Sequence, residues 1–177
     1  MSDNQQLNSG SLHVVKSGEG EHWLVAGEVI TVKISERDSS GAMLVLETLV
    51  PPGKQLSALA RHQFVEAFYV AEGEVEFHTT DAAGQRVTFQ AGLGDTVFVP
   101  PLAWHGFANG GSKRAKLVTM FNTTAIEEIT QAIGQRIADP TNPPKQAGMP
   151  SEEMRNKVGT LLQRYQVESI PLDKMPG

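Results

Sequence analysis

At 177 residues the chain can bury one sizeable core but falls short of two ordinary domains. With 40% hydrophobic residues, a net charge of −5 and no run of lysine or arginine, it lacks the phosphate-neutralising surface of a nucleic-acid binder. The absence of cysteine excludes disulfides, thiolate nucleophiles and sulfur ligands, and no apolar run is long enough to span a bilayer.

Residues 1–12 offer little to bury and read as a disordered arm; their polar character is unlike a signal peptide and points to the cytoplasm. Trp23, Leu24 and Val25 precede a first alternating strand, Val29 to Ile34, and ERDSSGA is a turn signal before the β-rich run AMLVLETLV. Pro51, Pro52 and Gly53 end that run. Val65 to Ala71 and Glu74 to Thr79 read as two strands split at Glu72 and Gly73. On the second, Val75 and Phe77 alternate with Glu74, Glu76 and His78, which predicts one buried and one solvated face. His13 and His22, without a motif around them, are expected at the surface with His78. Arg86 to Gln90, Thr96 to Val99, His105 to Ala108 and Lys116 to Asn122 complete the set. Short strands at near-regular spacing, separated by Gly/Pro turns, predict a closed β-barrel or jelly roll over 13–122.

After Asn122 the period changes to that of a helix. Thr124 with Glu127 is a capping-box pattern, and Ile126, Ile129, Ile133 and Ile137 make one apolar stripe. Pro140, Pro143 and Pro144 interrupt the chain. Ser151 then caps a second helix with Met154, Val158, Leu161, Leu162 and Tyr165 on one face. Residues 123–177 are therefore expected as a helical extension docked on the barrel.

Two stretches carry chemistry. Gly53, Glu66 and Gly73 fall on the pattern G-x5-H-x-H-x3-4-E-x6-G, and Gly94, Pro100, His105 and Asn109 on G-x5-P-x-G-x2-H-x3-N. These are the two motifs of the cupin superfamily, which the chain resembles, and the resemblance sharpens the barrel to a double-stranded β-helix. The entry GEHW, the two helices and the phrase Gln163 to Glu168 further resemble bacterial single-domain cupins of the quercetin 2,3-dioxygenase-like kind. Leu102 stands where the second motif has its middle glycine.

The resemblance implies a cage of three histidines and one glutamate, and Glu66 and His105 carry over directly. Counting five residues from Gly53 puts Leu59 and Arg61 at the first motif's histidine positions, where one cannot coordinate and the other repels a cation. That counting favours no cofactor and leaves Arg61, Glu66 and His105 as an acid/base set, with Arg61 clamping a substrate carboxylate or pairing with Glu66. The shorter x3 form instead puts Ala60 and His62 at those positions. His62, Glu66 and His105 would then hold a single divalent ion, Fe, Ni, Mn or Zn, in a two-histidine, one-carboxylate set. Because side chains alternate, 59, 61 and 62 cannot all face inward without a bulge. Phe64, Phe68, Trp104 and Phe107 are candidate contacts for a flat ligand.

Three functions follow. One is a metal-independent isomerase, cyclase or lyase acting on a small aromatic or enolisable carboxylic compound. The second is a quercetinase-like metal dioxygenase, and the third a ligand-binding or sensor module without turnover. A homodimer is expected from open strand edges, with the stretch from Trp23 to Ile34 adding to a neighbour's sheet.

Overall fold

The computed structural model describes residues 12–144 and 151–174, so nearly all of the expected N-terminal arm lies outside the described residues. The strands are β1 (Glu21–Val25), β2 (Glu28–Ile34), β3 (Leu44–Val50), β4 (Ala58–Arg61), β5 (Glu66–Glu72) and β6 (Glu74–Thr80). They continue with β7 (Arg86–Gly92), β8 (Thr96–Val99), β9 (His105–Ala108), β10 (Ala115–Phe121), β11 (Gln135–Ile137) and β12 (Glu168–Pro171). A seven-stranded sheet runs β11-β1-β2-β3-β10-β5-β8, and a five-stranded sheet runs β12-β4-β9-β6-β7. Neighbouring strands are antiparallel throughout, giving the jelly-roll barrel expected from the sequence.

Alternation builds the core. On β3 and β10 every second residue is buried. Val50, Phe68, Val70, Val75, Phe77 and Leu117 meet between the sheets, with the Phe68 and Phe77 rings 5.0 Å apart. Gly73, at φ +75°, makes the turn between β5 and β6, and a Cβ there would lie 3.1 Å from the Ala115 backbone.

Several local expectations are corrected. Trp23 to Val25 is not a lead-in but part of β1, and ERDSSGA holds a one-turn helix, α1 (Glu36–Ser39), closed by a capping box of Ser35 and Asp38. His22 and His78 are buried rather than superficial. The His22 Nδ1 is 2.9 Å from Thr31 Oγ1 across β1 and β2, and the His78 Nδ1 is 3.2 Å from Thr88 Oγ1 across β6 and β7, with the Glu76 carboxylate of its own strand 2.8 Å from Nε2. A threonine hydroxyl on the adjoining strand thus meets each buried ring.

The helix α2 (Ala125–Ile133) ends before Ile137, which lies instead on β11 and pairs with His22 of β1. Thr124 makes no side-chain cap; the Glu127 carboxylate instead accepts from the Glu36 amide at 2.7 Å. The second helix, α3 (Glu152–Arg164), is capped by Ser151 as expected, and its Leu161 packs with Ile129 and Ala132 of α2. The stretch after it supplies β12, a strand the sequence reading did not anticipate.

Candidate functional site

The cavity wall is made by β4, β5 and β9. Register fixes which side chains enter it. Ala60 of β4 stands opposite His105 of β9, so Ala60, Ala58 and His62, just past the strand end, share the parity of His105. Ala58 and Ala60 line the same cavity as Glu66 and His105.

Leu59 and Arg61 have the opposite parity. Leu59 is fully buried but paired with Ile170, while Arg61 stands opposite Glu168 of β12. The Arg61 guanidinium reaches Glu168 Oε2 at 2.7 Å and lies 4.6 Å from the centre of the Trp104 ring. The placement of Arg61 beside Glu66 and His105 is therefore corrected: the guanidinium serves the outer face. The shorter motif spacing applies, and positions 60 and 62 face inward without the bulge that the longer spacing demanded.

His62 is 3% exposed. Its Nδ1 lies 2.8 Å from the Phe64 carbonyl oxygen and its Nε2 3.1 Å from Glu66 Oε2. His105 repeats the pattern, with Nδ1 3.0 Å from the Ala103 carbonyl oxygen and Nε2 3.0 Å from the same Glu66 oxygen. A carbonyl only accepts, so each Nδ1 carries a proton and both Nε2 atoms converge on one carboxylate. Burial by itself would raise the Glu66 pKa, but hydrogen bonds and charge from His105 and His62 outweigh it and hold the carboxyl below its ordinary value. Burial would likewise lower the His105 pKa, yet Glu66, by hydrogen bond and charge, pushes it up.

The three ligand atoms lie within 4.8 Å of one another, so His62, Glu66 and His105 could hold a metal ion. The donor set fits one. Two Nε2 atoms, whose lone pairs are freed once a metal displaces their protons, converge with a carboxylate oxygen, and each ring is oriented by an outer hydrogen bond to backbone, as is usual for histidine ligands.

The second motif fixes this geometry from behind. Leu102, at φ +65° in the left-handed region that glycine would occupy more readily, donates its amide to the His62 carbonyl at 2.7 Å. Thr79 Oγ1 donates to the Trp104 carbonyl at 2.6 Å. Asn109 is buried and donates from Nδ2 to the carbonyls of Val50 and Lys113.

The cavity is an open one of about 240 Å³. Phe68 and Phe107 line it. Phe64 instead stacks on His62 at 3.8 Å between ring centres, and Trp104 lies under Arg61, outside the cavity lining. Glu28 and Lys54 line it too. Lys54 follows the motif glycine Gly53 directly, a signal that was available; nothing in the sequence around Glu28 marked it.

Residues 46–121 match the family described as the cupin domain. The stretch of the barrel from β3 to β10 is thus similar to the cupin domain. Among solved structures, a variant of Bacillus subtilis oxalate decarboxylase is similar at 18% identity and a TM-score of 0.51, over 60% of this chain and 28% of that one. A structure of Fe(II)-HppE with the alternative substrate (S)-1-HPP is similar at 20% identity and a TM-score of 0.51, over 64% of this chain and 61% of that one. Each match spans less than two thirds of the other protein, and at these identities the likeness is one of cupin fold. Comparison with curated proteins returned no significant match.

Proposed function

We propose that this cupin binds and transforms a small molecule at a single divalent metal ion held by His62, Glu66 and His105. One observation carries the reading: both histidines spend Nδ1 on backbone carbonyls and aim Nε2 at the same oxygen of a buried, ionised Glu66. The reason for expecting no cofactor was a guanidinium inside the cage, and Arg61 points elsewhere. A bound iron, nickel, manganese or zinc ion would supply Lewis acidity, or redox chemistry where the metal allows it.

The chain's own residues do the rest. Ala60 leaves one flank of the ligand triad uncovered, so a ligand can approach from the cavity. Phe68 and Phe107 provide apolar walls against which a ligand can pack. The narrower quercetin 2,3-dioxygenase-like reading draws on the same triad and on the tail phrase Gln163 to Glu168.

A second reading rests on the Glu66–His105 pair at 3.0 Å, with the carboxyl pKa depressed and the imidazole pKa raised. Without metal, protonated His105 and ionised Glu66 form an acid/base couple suited to isomerisation, cyclisation or elimination. Tight ligand binding without product would mark a sensor instead.

Elemental analysis of protein purified without a metal-affinity tag separates the readings. The expected result is one ion per chain, reduced at least tenfold in His62→Ala and His105→Ala variants that keep the parent's circular dichroism. A parent that purifies metal-free and takes up no Fe, Ni, Mn or Zn on titration overturns the metal reading.

A further inference from the structure

The cavity that Glu66 and His105 line also carries a second charged pair, Lys54 and Glu28. Lys54 follows β3 in the loop to β4, where its backbone is pinned: its carbonyl accepts from the Asn109 amide at 3.0 Å, and the two residues form an isolated bridge. Its Nζ donates to the Ala26 carbonyl at 2.7 Å and lies 3.6 Å from Glu28 Oε1. The first contact is a hydrogen bond; the second is too long for one. An ammonium has three donors, so Lys54 keeps donor capacity. Burial raises the pKa of Glu28 more than Lys54 lowers it. The pair is thus a loose one that an incoming anion can compete for.

Lys54 is the one lysine or arginine among the residues lining the cavity, in a chain whose net charge is −5. The rest of the lining is mixed: Leu56, Phe68 and Phe107 are its large apolar side chains, and Gln55, Ser57, Glu66 and His105 are polar. At about 30 Å³ per water, 240 Å³ amounts to about eight waters, the size of a small organic molecule.

We propose that the cavity selects a small organic carboxylate, whose carboxylate takes the free donors of Lys54 and displaces Glu28. This rests on reading the cavity as the ligand site, and it gives Lys54 the clamp role that the sequence had assigned to Arg61. The metal triad is left to the rest of the ligand.

Calorimetric titration with benzoate and its neutral isostere benzamide tests this, together with acetate and acetamide, at low ionic strength on the whole chain. Both the chelator-treated and the zinc-loaded protein are titrated. Benzoate is expected to bind at least tenfold more tightly than benzamide in the chelator-treated form. Lys54→Met should erase that preference, and Lys54→Arg should retain most of it. Glu28→Gln, which removes the competing carboxylate, should tighten benzoate severalfold and leave benzamide unchanged. Because Glu28→Gln is read by a gain, loss of fold in the lysine variant does not blunt the test. Absence of any preference within either carboxylate–amide pair overturns the proposal. So does a preference that appears only with zinc and survives Lys54→Met, since the carboxylate then sits on the metal. A Lys54-dependent preference in protein that takes up no metal would uphold the subsite while overturning the metal reading.

Discussion

Ala60 stands opposite His105 on the cavity wall, and its methyl leaves room where a longer side chain could join His62 and Glu66. Ala60→His is therefore expected to add a fourth ligand and tighten metal binding by tenfold or more, read by competition with a chromogenic chelator. The double variant Leu59→His, Arg61→His, which the longer motif spacing would call for, should leave affinity unchanged because both side chains face away. The glutamate and the second-motif histidine were legible in the sequence because each has one position in its motif. The first-motif histidine was not, since two spacings are allowed and the tie is settled by the pairing of β4 with β9 and β12. In metal-stripped protein the same residues should set a pH window. Glu66, with its pKa depressed, adds stability above about pH 4.5 that is lost as pH falls through its folded value. His105, with its pKa raised, adds stability below about pH 6.5 that is lost as pH rises through its folded value. The difference in melting temperature between parent and Glu66→Gln should accordingly peak between these limits and shrink on either side.

Strand periodicity exposed most of the barrel but missed β4, β11 and β12. These are three or four residues long, no shorter than β8 and β9 except for β11, but they lack the Gly/Pro turns that bracket β8 and the second-motif residues that mark β9. Their existence depends on partners distant in sequence. The helices show the converse, where a local signal was present but only one was used. Ser151 Oγ accepts from the Met154 amide at 3.2 Å, so Ser151→Ala should cost about 1 kcal/mol in chemical denaturation. Thr124 makes no such bond, and Thr124→Ala should change stability by less than about 0.5 kcal/mol. Glu127, read from the sequence as a capping-box partner, was drawn away by the exposed amide of Glu36.

For the molecule as a whole, the homodimer remains a proposal, but its expected surface changes. The β1 edge is covered by β11, so addition of the Trp23 to Ile34 stretch to a neighbour's sheet is not open to it. The sheets end at β11 and β8 and at β12 and β7, and of these β8 and β7 carry exposed aromatics, Phe98 at 62% and Phe89 at 52%. Edge strands bearing exposed aromatics favour burial against another copy. Light scattering is expected to give about twice the 19.1 kDa of one chain, and Phe98→Glu should return the single-chain mass. A parent that already scatters as one chain would refute the dimer.

The strand β4, whose parity decides the contents of the cavity, meets β9 through a single paired position and gains its fuller pairing from β12. The Arg61–Glu168 contact on that seam closes a loop of 107 residues. By the logarithmic law of loop closure, that costs on the order of 4 kcal/mol of chain entropy before any hydrogen bond is gained. The wall that carries the candidate ligands is thus fastened by one of the chain's most distant encounters, and the rigidity of the site is on loan from the tail.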